Sequence, residues 1–133
     1  EPRLNKMLED LPLPKVIFTN ADAAHAERVL SLLEIRGHFQ TLVDIRKTKF
    51  INKPDPRAFS ILLHTIGAKA KNCIMIEDSV RNLDTAHSLG MSTLLICSNL
   101  SPEANSGHPH VPDIIDAGPH IHNFCLSENK TTC

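Results

Sequence analysis

An apolar run ends in two adjacent carboxylates in the segment Cys73-Ile74-Met75-Ile76-Glu77-Asp78-Ser79. Short apolar runs of this kind are typical of strands that are buried on both faces of a parallel sheet. Helical spacing follows from about Val80 to Leu89, and Gly90 stands after it as a stop signal. The segment therefore predicts a buried strand, an acidic turn and a helix in that order.

The same alternation of strand and helix extends from the start of the chain to about residue 97. Further strands are predicted at 15–19, 41–45 and 93–97, and further helices at 4–11, at 22–36 and between Pro54 and Gly67. Strands joined by helical crossovers form a parallel sheet with helices on both faces. The predicted fold class is therefore α/β, and a weaker signal near Ile121 suggests one more short strand.

Composition restricts the kind of protein. The chain has 133 residues, 41% of them hydrophobic, which is enough for one domain with its own core. Its formal net charge is −1 and it has no Trp or Tyr, so neither a nucleic-acid partner nor a membrane partner is predicted. No apolar run exceeds six residues, so neither a transmembrane helix nor a signal peptide is predicted. Four cysteines, two of them in apolar runs, favour a reducing cytoplasmic location over a disulfide scaffold.

Polar side chains lie where two of the strands end and where one helix begins. Thr19 and Asn20 end the first strand, Lys53 precedes a helix, and Glu77 and Asp78 end the third strand. Ligand sites of parallel sheets lie at the carboxyl ends of the strands, so we expect these side chains to meet there. A hydroxyl beside helix amides suits a phosphate oxygen, and paired carboxylates suit Mg²⁺. Each residue also has a simpler interpretation, as a helix cap or a surface lysine.

Together these motifs resemble those of the haloacid dehalogenase superfamily of phosphatases, over roughly residues 2–100. The second motif of that superfamily is a strand ending in Ser or Thr, matched by Val16-Ile17-Phe18-Thr19-Asn20. The third is a lysine before a helix, matched by Lys53 in Lys-Pro-Asp-Pro, and the fourth is an acidic pair, matched by Met75-Ile76-Glu77-Asp78-Ser79. The phrases Phe-Thr-Asn-Ala-Asp, Glu-Asp-Ser-Val-Arg-Asn-Leu and Ala-His-Ser-Leu-Gly-Met most resemble the pyrimidine 5′-nucleotidase branch.

The resemblance implies a reaction and roles for the phosphate-binding residues. The expected reaction is Mg²⁺-dependent hydrolysis of a small phosphomonoester through an aspartyl-phosphate, and the expected substrate is a pyrimidine nucleoside 5′-monophosphate. Thr19 would hydrogen-bond the transferring phosphoryl group, with Asn20 beside it. Lys53 would neutralise phosphate charge and orient the nucleophile. Such roles suit phosphoryl transfer, in which positioning and charge neutralisation do most of the catalysis.

The resemblance also implies a metal site. Asp78 would ligate Mg²⁺, and Glu77 would ligate it directly or through water. Asn82 matches a supporting position of the family.

The first motif of the superfamily has no match in these 133 residues. That motif is a strand ending Asp-x-Asp, which supplies the nucleophile. Asp44 ends a predicted strand but precedes Ile-Arg, and Asp55 lies within the lysine motif, so neither is a credible substitute. Because the sequence begins with Glu1 rather than Met, we expect the first motif and most of a cap domain to lie upstream.

These expectations divide the chain into three parts. Residues 1–12 would be the remnant of an upstream cap or linker helix, 13–100 the α/β core, and 101–133 a loop-rich tail. The sheet would be incomplete, and the strands near Val16 and Ile74 would either pair directly or leave a gap. We expect the chain alone to bind Mg²⁺ weakly and to be inactive.

Three other interpretations are open. The first is a non-catalytic phosphate-binding or interaction module, because the phosphate-handling motifs are present without a nucleophile. The second is a receiver-like signalling domain, although its acidic cluster would belong after the first strand. The third is a zinc site built from tail residues, which are suitable ligand types but have no compact zinc spacing. Those residues are His108, His110, His120, His122, Cys125 and Cys133.

Overall fold

The computed structural model describes residues 2–126 and the backbone of residues 131–132. The helices are α1 (Pro2–Asp10), α2 (Ala23–Leu32), α3 (Pro56–Ile66), α4 (Val80–Ser88) and α5 (Gly118–Cys125). The strands are β1 (Val16–Phe18), β2 (Thr41–Val43), β3 (Cys73–Glu77), β4 (Ser92–Ile96), β5 (His110–Val111) and β6 (Thr131–Thr132). Short 3-10 helices lie at Arg36–His38, Ala70–Asn72, Pro102–Asn105 and Ile114–Ala117.

Side-chain caps fix where the central helices begin. Asp22 accepts the N–H of His25 at the start of α2, and Ser79 accepts the N–H of Asn82 at the start of α4. At the other end, α3 stops at Gly67, whose φ of +67° is a left-handed conformation that glycine adopts without steric cost. These local signals place each helix start directly after a strand or loop that carries polar residues.

The strands form two parallel sheets. The smaller sheet pairs β1 with β2, with Ile17 opposite Leu42. The larger has the order β5-β4-β3-β6, with Ile76 opposite Leu94 in its centre. The parallel α/β class predicted from the sequence is confirmed. In the described part of the chain β1 and β3 are not paired with each other, so of the two expected outcomes for these strands the structure shows the gap.

Successive residues of β3 face two different layers of helices. Met75 packs in a core with Phe59 of α3 and Leu83 of α4. Ile74 packs in a second core with Ile121 of α5 on the opposite face. Because side chains alternate along a strand, this division places helices on both sides of the larger sheet. A third cluster joins α1 and α2 to β2.

Two predicted elements differ from the structure. The predicted strand near Ile121 is wrong, since residues Gly118–Cys125 form α5. Ile121 is buried there, and Phe124 and Cys125 pack against the same core at helical spacing. The helix predicted for 22–36 ends at Leu32, because Glu34 takes a positive φ of 57° and the chain turns to bury Ile35.

The tail histidines lie in different surroundings. His108 bridges the carboxylate of Asp84 (2.8 Å) and the hydroxyl of Thr93 (2.7 Å). His110 contacts the side-chain oxygen of Asn99 (3.0 Å). Cys133 lies outside the described residues. Within residues 2–126, no group of three or more His, Cys, Asp or Glu side chains is placed to hold a metal ion.

None of the helices in the described residues is both long enough and apolar enough to span a bilayer.

Replacing Phe59 with alanine tests the core beneath the site. Phe59 is fully buried and makes an edge-to-face contact with Phe18, with ring centroids 5.2 Å apart. We expect Phe59→Ala to lower the free energy of unfolding by about 3–5 kcal/mol in urea titrations, since it leaves a cavity. Phe50→Ala is the matched control, because Phe50 is 67% exposed and its loss should be close to neutral. Equal losses in both variants would contradict this core.

Candidate functional site

The ammonium group of Lys53 connects the carboxyl ends of β1 and β3. Its Nζ donates to the backbone carbonyl of Phe18 (2.8 Å) and to Oε2 of Glu77 (3.0 Å). The Lys53 and Glu77 side chains are only 7% and 14% exposed, so the ion pair is largely removed from water. The same Nζ lies 4.8 Å from the centre of the Phe18 ring, within the range of a cation–π interaction. A positive charge is thus fixed at the edge where ligand sites of parallel sheets lie.

The backbone around Lys53 is held from two sides. Asn20 accepts the N–H of Lys53 (2.9 Å) and donates its amide to the Lys53 carbonyl (3.3 Å). The Lys53–Pro54 peptide bond is cis, and the carbonyl of Pro54 accepts the hydroxyl of Thr85 in α4 (2.7 Å). The loop between β2 and α3 is therefore tied both to the end of β1 and to α4.

Glu77 is held as a carboxylate despite its burial. Burial raises the pKa of Glu77, but the nearby Lys53 ammonium and hydrogen bonds from Asp78, Lys53 and Asn82 outweigh it and lower the pKa overall. Its Oε1 also accepts the backbone N–H groups of Asp78 (3.2 Å) and Ser79 (3.3 Å). Glu77 thus organises the turn that leads into α4.

Asp78 has the opposite electrostatic setting. Its side chain is exposed, and the pKa of Asp78 is raised, first by its hydrogen bond to Glu77, then by desolvation and by the negative charge of Glu77. Two carboxyl groups this close compete to be ionised, and a cation bound between them would relieve the repulsion. Asp78 is the one of the two that solvent reaches more readily.

Thr19 lies directly after β1. Its N–H donates to the carbonyl of Val43 (3.0 Å), which extends the pairing with β2, and its Oγ1 accepts the N–H of Ala21 (3.0 Å). A hydroxyl that accepts one bond can still donate its proton to a second group. Thr19 therefore both closes the turn, as in the simpler interpretation, and keeps a donor for a ligand oxygen.

The candidate residues named from the sequence lie at one edge of the structure. Asn20, Lys53, Glu77 and Asn82 are connected by hydrogen bonds. Thr19 and Asp78 are the immediate neighbours of Asn20 and Glu77 in the chain.

Asp44 organises the same edge, a structural role that the sequence does not predict for it. It is 3% exposed, and its two carboxylate oxygens accept the N–H of Ala23 (2.9 Å) and the N–H of Lys47 (2.9 Å). Burial alone would raise the pKa of Asp44, but backbone N–H donors, Lys47 and Ala23 foremost, outweigh it and lower the pKa. Asp44 thus clamps the start of α2 to the loop after β2. The sequence feature that could have indicated this role is the position of Asp44 at the end of a predicted strand.

A hard divalent cation fits the donors at this edge. Asp78 and Glu77 supply two carboxylates, and Asn82 adds an amide side chain hydrogen-bonded to Glu77. Mg²⁺ is commonly bound by one or two carboxylates with water and substrate phosphate completing its shell. One oxygen of Glu77 is already engaged by Lys53, so Asp78 is the more available ligand.

Comparison with known proteins assigns the family. The sequence pattern of haloacid dehalogenase-like hydrolases matches residues 2–90. The chain belongs to the haloacid dehalogenase-like hydrolases. Its place in this family agrees with the parallel sheet and with the polar residues at the carboxyl ends of β1 and β3.

Relatives in this family include enzymes of different kinds. Bifunctional epoxide hydrolase 2 of Mus musculus is 31% identical over 70 residues, which is 53% of this chain and 12% of that protein. Fructose-1-phosphate phosphatase YqaB of Escherichia coli is 27% identical over 81 residues, which is 61% of this chain and 43% of that protein. A solved dehalogenase structure, with an intermediate bound, superposes with a TM-score of 0.79 at 19% identity, covering 90% of this chain and 55% of that one. The chain thus spans less than half the length of these two curated relatives.

Substitution of Asp44 tests its structural role. Asp44→Asn turns one accepting oxygen into a donor, which leaves the N–H of Ala23 or Lys47 without an acceptor and should cost about 1–3 kcal/mol at pH 7. Because the pKa of Asp44 is lowered in the folded state, this stabilisation is present above the ordinary Asp value of 3.8 and is lost as the pH falls below it.

Urea unfolding at several pH values measures the free energy of unfolding of the wild type and of Asp44→Asn. We expect the difference between these two free energies to be largest near neutral pH and to decrease progressively in acid. Asp116→Asn removes an exposed carboxylate and serves as the control, with little effect at any pH. A gap independent of pH would show that the charge of Asp44 is not what matters.

Proposed function

We propose that this chain is the C-terminal part of a Mg²⁺-dependent phosphomonoester hydrolase. The observation that carries the proposal is the buried Lys53 ammonium between the ends of β1 and β3, 3.0 Å from the Glu77 carboxylate. Thr19 follows Phe18 in the chain and Asp78 follows Glu77, so a hydroxyl and a second carboxylate neighbour the residues that Lys53 contacts. This combination supports binding of a phosphate group with a divalent cation beside it.

Each side chain has a defined task in this proposal. The O–H of Thr19 donates to a phosphoryl oxygen, and the side chain of Asn20 keeps Lys53 in place through its two backbone hydrogen bonds. The ammonium of Lys53 offsets the negative charge of the phosphoryl group as the bond to the leaving oxygen breaks. In the resting protein that ammonium is balanced by Glu77, so the two charges are kept in a fixed orientation before a substrate arrives.

The same edge would hold the metal ion. Asp78 would ligate Mg²⁺, Glu77 would ligate it directly or through water, and Asn82 would keep Glu77 oriented. Bound Mg²⁺ supplies charge neutralisation at the phosphoryl oxygens.

The nucleophile must come from polypeptide outside these residues. The 133 residues contain no Asp-x-Asp, and the carboxylate of Asp44 is occupied by backbone N–H groups. In the proposed reaction an aspartate oxygen forms a bond to phosphorus while the bond to the substrate oxygen breaks and that oxygen gains a proton. Water then attacks the aspartyl-phosphate, which regenerates the carboxylate and releases inorganic phosphate. The chain alone is therefore proposed to be inactive.

The substrate proposal is a pyrimidine nucleoside 5′-monophosphate, by resemblance of the motifs around Thr19, Glu77 and His87. Since one relative is by its name a fructose-1-phosphate phosphatase, sugar phosphates are the competing substrate class. A cytoplasmic location is part of the same proposal and is supported by Cys97 and Cys125, which are thiols rather than disulfide partners.

Metal binding by the chain itself tests the site without requiring turnover. We expect Mg²⁺ to shift the amide NMR signals of residues 77–82 with weak affinity. Asp78→Asn should weaken the affinity about tenfold or more, because it removes a charged ligand. Asp116→Asn is the control, and its titration should match that of the wild type. Identical titrations for Asp78→Asn and wild type would remove Asp78 from the metal site.

Turnover tests the whole proposal. Purified 1–133 should release no phosphate from CMP, UMP or fructose 1-phosphate. A longer polypeptide that includes an upstream Asp-x-Asp strand should hydrolyse CMP and UMP in preference to fructose 1-phosphate. If 1–133 releases phosphate by itself, a nucleophile within the chain is required and the proposal is wrong. If the longer polypeptide binds phosphate and Mg²⁺ without turnover, the non-catalytic binding module is correct.

In that longer polypeptide, Lys53→Ala should lower kcat/KM by about 10²-fold or more, the usual cost of losing one charge-stabilising group. The variant leaves Glu77 buried without its partner, which also destabilises the fold. Lys53→Ala/Glu77→Gln should recover much of the lost stability without recovering activity. Recovery of activity with stability would show that Lys53 is only structural.

A further inference from the structure

A threonine in α4 holds the loop that carries Lys53. The hydroxyl of Thr85 donates to the backbone carbonyl of Pro54 at 2.7 Å, and these two residues are 31 positions apart in the chain. The carbonyl of Arg81, one helical turn before Thr85, lies farther from the hydroxyl, at 3.4 Å. Since a hydroxyl has one proton to donate, the shorter contact directs it at the loop rather than at its own helix.

Thr65 in α3 shows the alternative that is open to a helical threonine. Its hydroxyl donates to the carbonyl of Ile61 in the same helix at 2.7 Å, an arrangement that Ser and Thr often adopt inside helices. That bond joins residues four positions apart and connects no second element. Thr85 differs in using its hydroxyl for a tertiary contact, and Thr65 therefore provides a matched control for substitutions at position 85.

The acceptor of the Thr85 hydroxyl is a backbone group next to Lys53. Proline has no N–H, so the carbonyl is the only hydrogen-bonding group of Pro54. Pro54 is partly buried, and a buried carbonyl without a donor is costly. The backbone of Lys53 is held as well, since both its N–H and its carbonyl bond to Asn20. Asn20 thus fixes Lys53, and Thr85 fixes the residue that follows it.

The Lys53 loop and the acidic turn after β3 are connected twice. The first connection is the ion pair between Nζ of Lys53 and Oε2 of Glu77, at 3.0 Å. The second runs through α4. Oε1 of Glu77 accepts the N–H of Ser79, Ser79 caps α4, and α4 carries Thr85 to the carbonyl of Pro54. The helix therefore limits the distance between the loop and the turn independently of the ion pair.

The two connections respond differently to a bound anion. A phosphoryl group would compete with Glu77 for the ammonium of Lys53, since both present negatively charged oxygens. Lysine is a point charge on a flexible stem, so the place that its Nζ reaches depends on where its backbone is held. The hydrogen bond between Thr85 and Pro54 includes neither charge. It therefore persists when the ammonium turns away from Glu77.

We propose that Thr85 is a positioning residue for Lys53. Its hydroxyl holds the backbone from which the Lys53 side chain extends while the ammonium turns from Glu77 toward a phosphoryl oxygen. The reaction in this statement rests on the proposed function, whereas the contact between Thr85 and the loop does not. Such positioning affects the rate because stabilisation of a transition state by a charge depends on preorganised distances.

Amide hydrogen exchange in the full chain tests the contact without requiring turnover. The N–H groups of residue 53 and of Asp55 report opening of the loop, because they donate to Asn20 and to Asn52. Thr85→Val removes the hydroxyl, so we expect both groups to exchange about threefold to tenfold faster, the usual effect of losing one hydrogen bond. Thr85→Ser keeps the hydroxyl and should exchange as the wild type does.

Two controls separate opening of the loop from a general loss of stability. Leu95 in β4 is fully buried and donates its N–H to the carbonyl of Pro109, so its exchange reports the whole fold. In Thr85→Val, exchange in the loop should rise relative to exchange at Leu95. Thr65→Val loses a hydrogen bond within α3 and should leave exchange in the loop unchanged.

Removal of the ion pair should increase the effect of Thr85→Val. The double variant Lys53→Met/Glu77→Gln takes away both charges together, so neither is left buried without a partner. In that background the first connection is absent, and we expect Thr85→Val to speed exchange in the loop by about threefold more than it does in the wild type. Equal effects in the two backgrounds would show that Thr85 does not hold the loop in place of the ion pair, and the proposal would be wrong.

The longer polypeptide with an upstream Asp-x-Asp strand tests the effect on the reaction. We expect Thr85→Val to lower kcat for CMP about tenfold while KM changes by no more than about twofold, because the ammonium is misplaced in the transition state and other contacts to the substrate are kept. Thr85→Ser should restore kcat, and Thr65→Val should match the wild type.

The other outcomes are equally clear. Wild-type kcat in Thr85→Val, or a loss of kcat that Thr85→Ser does not restore, would overturn the positioning role. Unchanged exchange in the loop of Thr85→Val in both backgrounds would overturn it as well. If the longer polypeptide is inactive in its wild-type form, the proposed function fails, and the exchange measurements decide by themselves whether Thr85 holds the loop.

Discussion

One ammonium group joins two sheets between which the described residues form no strand pairing. Lys53 reaches the end of β1 through the carbonyl of Phe18 and the end of β3 through the carboxylate of Glu77. The cost of removing both charges from water makes such a pair a weak source of stability, but it fixes geometry strongly, since loss of either partner leaves a buried charge uncompensated. The spacing between the ends of β1 and β3 and the orientation of the acidic turn after β3 both depend on this contact.

Most of the site could be anticipated from residue order alone, because parallel strands place their carboxyl ends at one edge. That rule predicts that Lys53 and the acidic pair lie at one edge, and the hydrogen bond between Lys53 and Glu77 agrees with it. It could not show that Asn20 holds the backbone of Lys53, because that contact joins residues far apart in the chain. Asp44 was visible as a strand-terminal carboxylate, but its two donors come from loops whose proximity only the folded chain creates.

The C-terminal region was the least predictable part of the fold. Residues 102–122 contain four prolines, two glycines and four histidines, a composition that is typical of loops. Helix α5 forms there nevertheless, because its few apolar residues pack against an existing core. Ile121 is 1% exposed, and the buried surface around it outweighs weak local propensity. Strand β5 has only 2 residues, and it forms because the edge of β4 offers it a partner. Both α5 and β5 form because of tertiary packing, and the local sequence pattern does not predict them.

Phe18 holds the ammonium in two chemically different ways, through its main-chain oxygen and through the face of its ring. The first survives any substitution at this position, while the second belongs to an aromatic side chain alone. Substitution at residue 18 would therefore change the contact between the ring and the ammonium and leave the hydrogen bond to the backbone carbonyl in place. The hydrogen bond that holds Lys53 to β1 is made by the backbone of residue 18, and the aromatic side chain only adds to it.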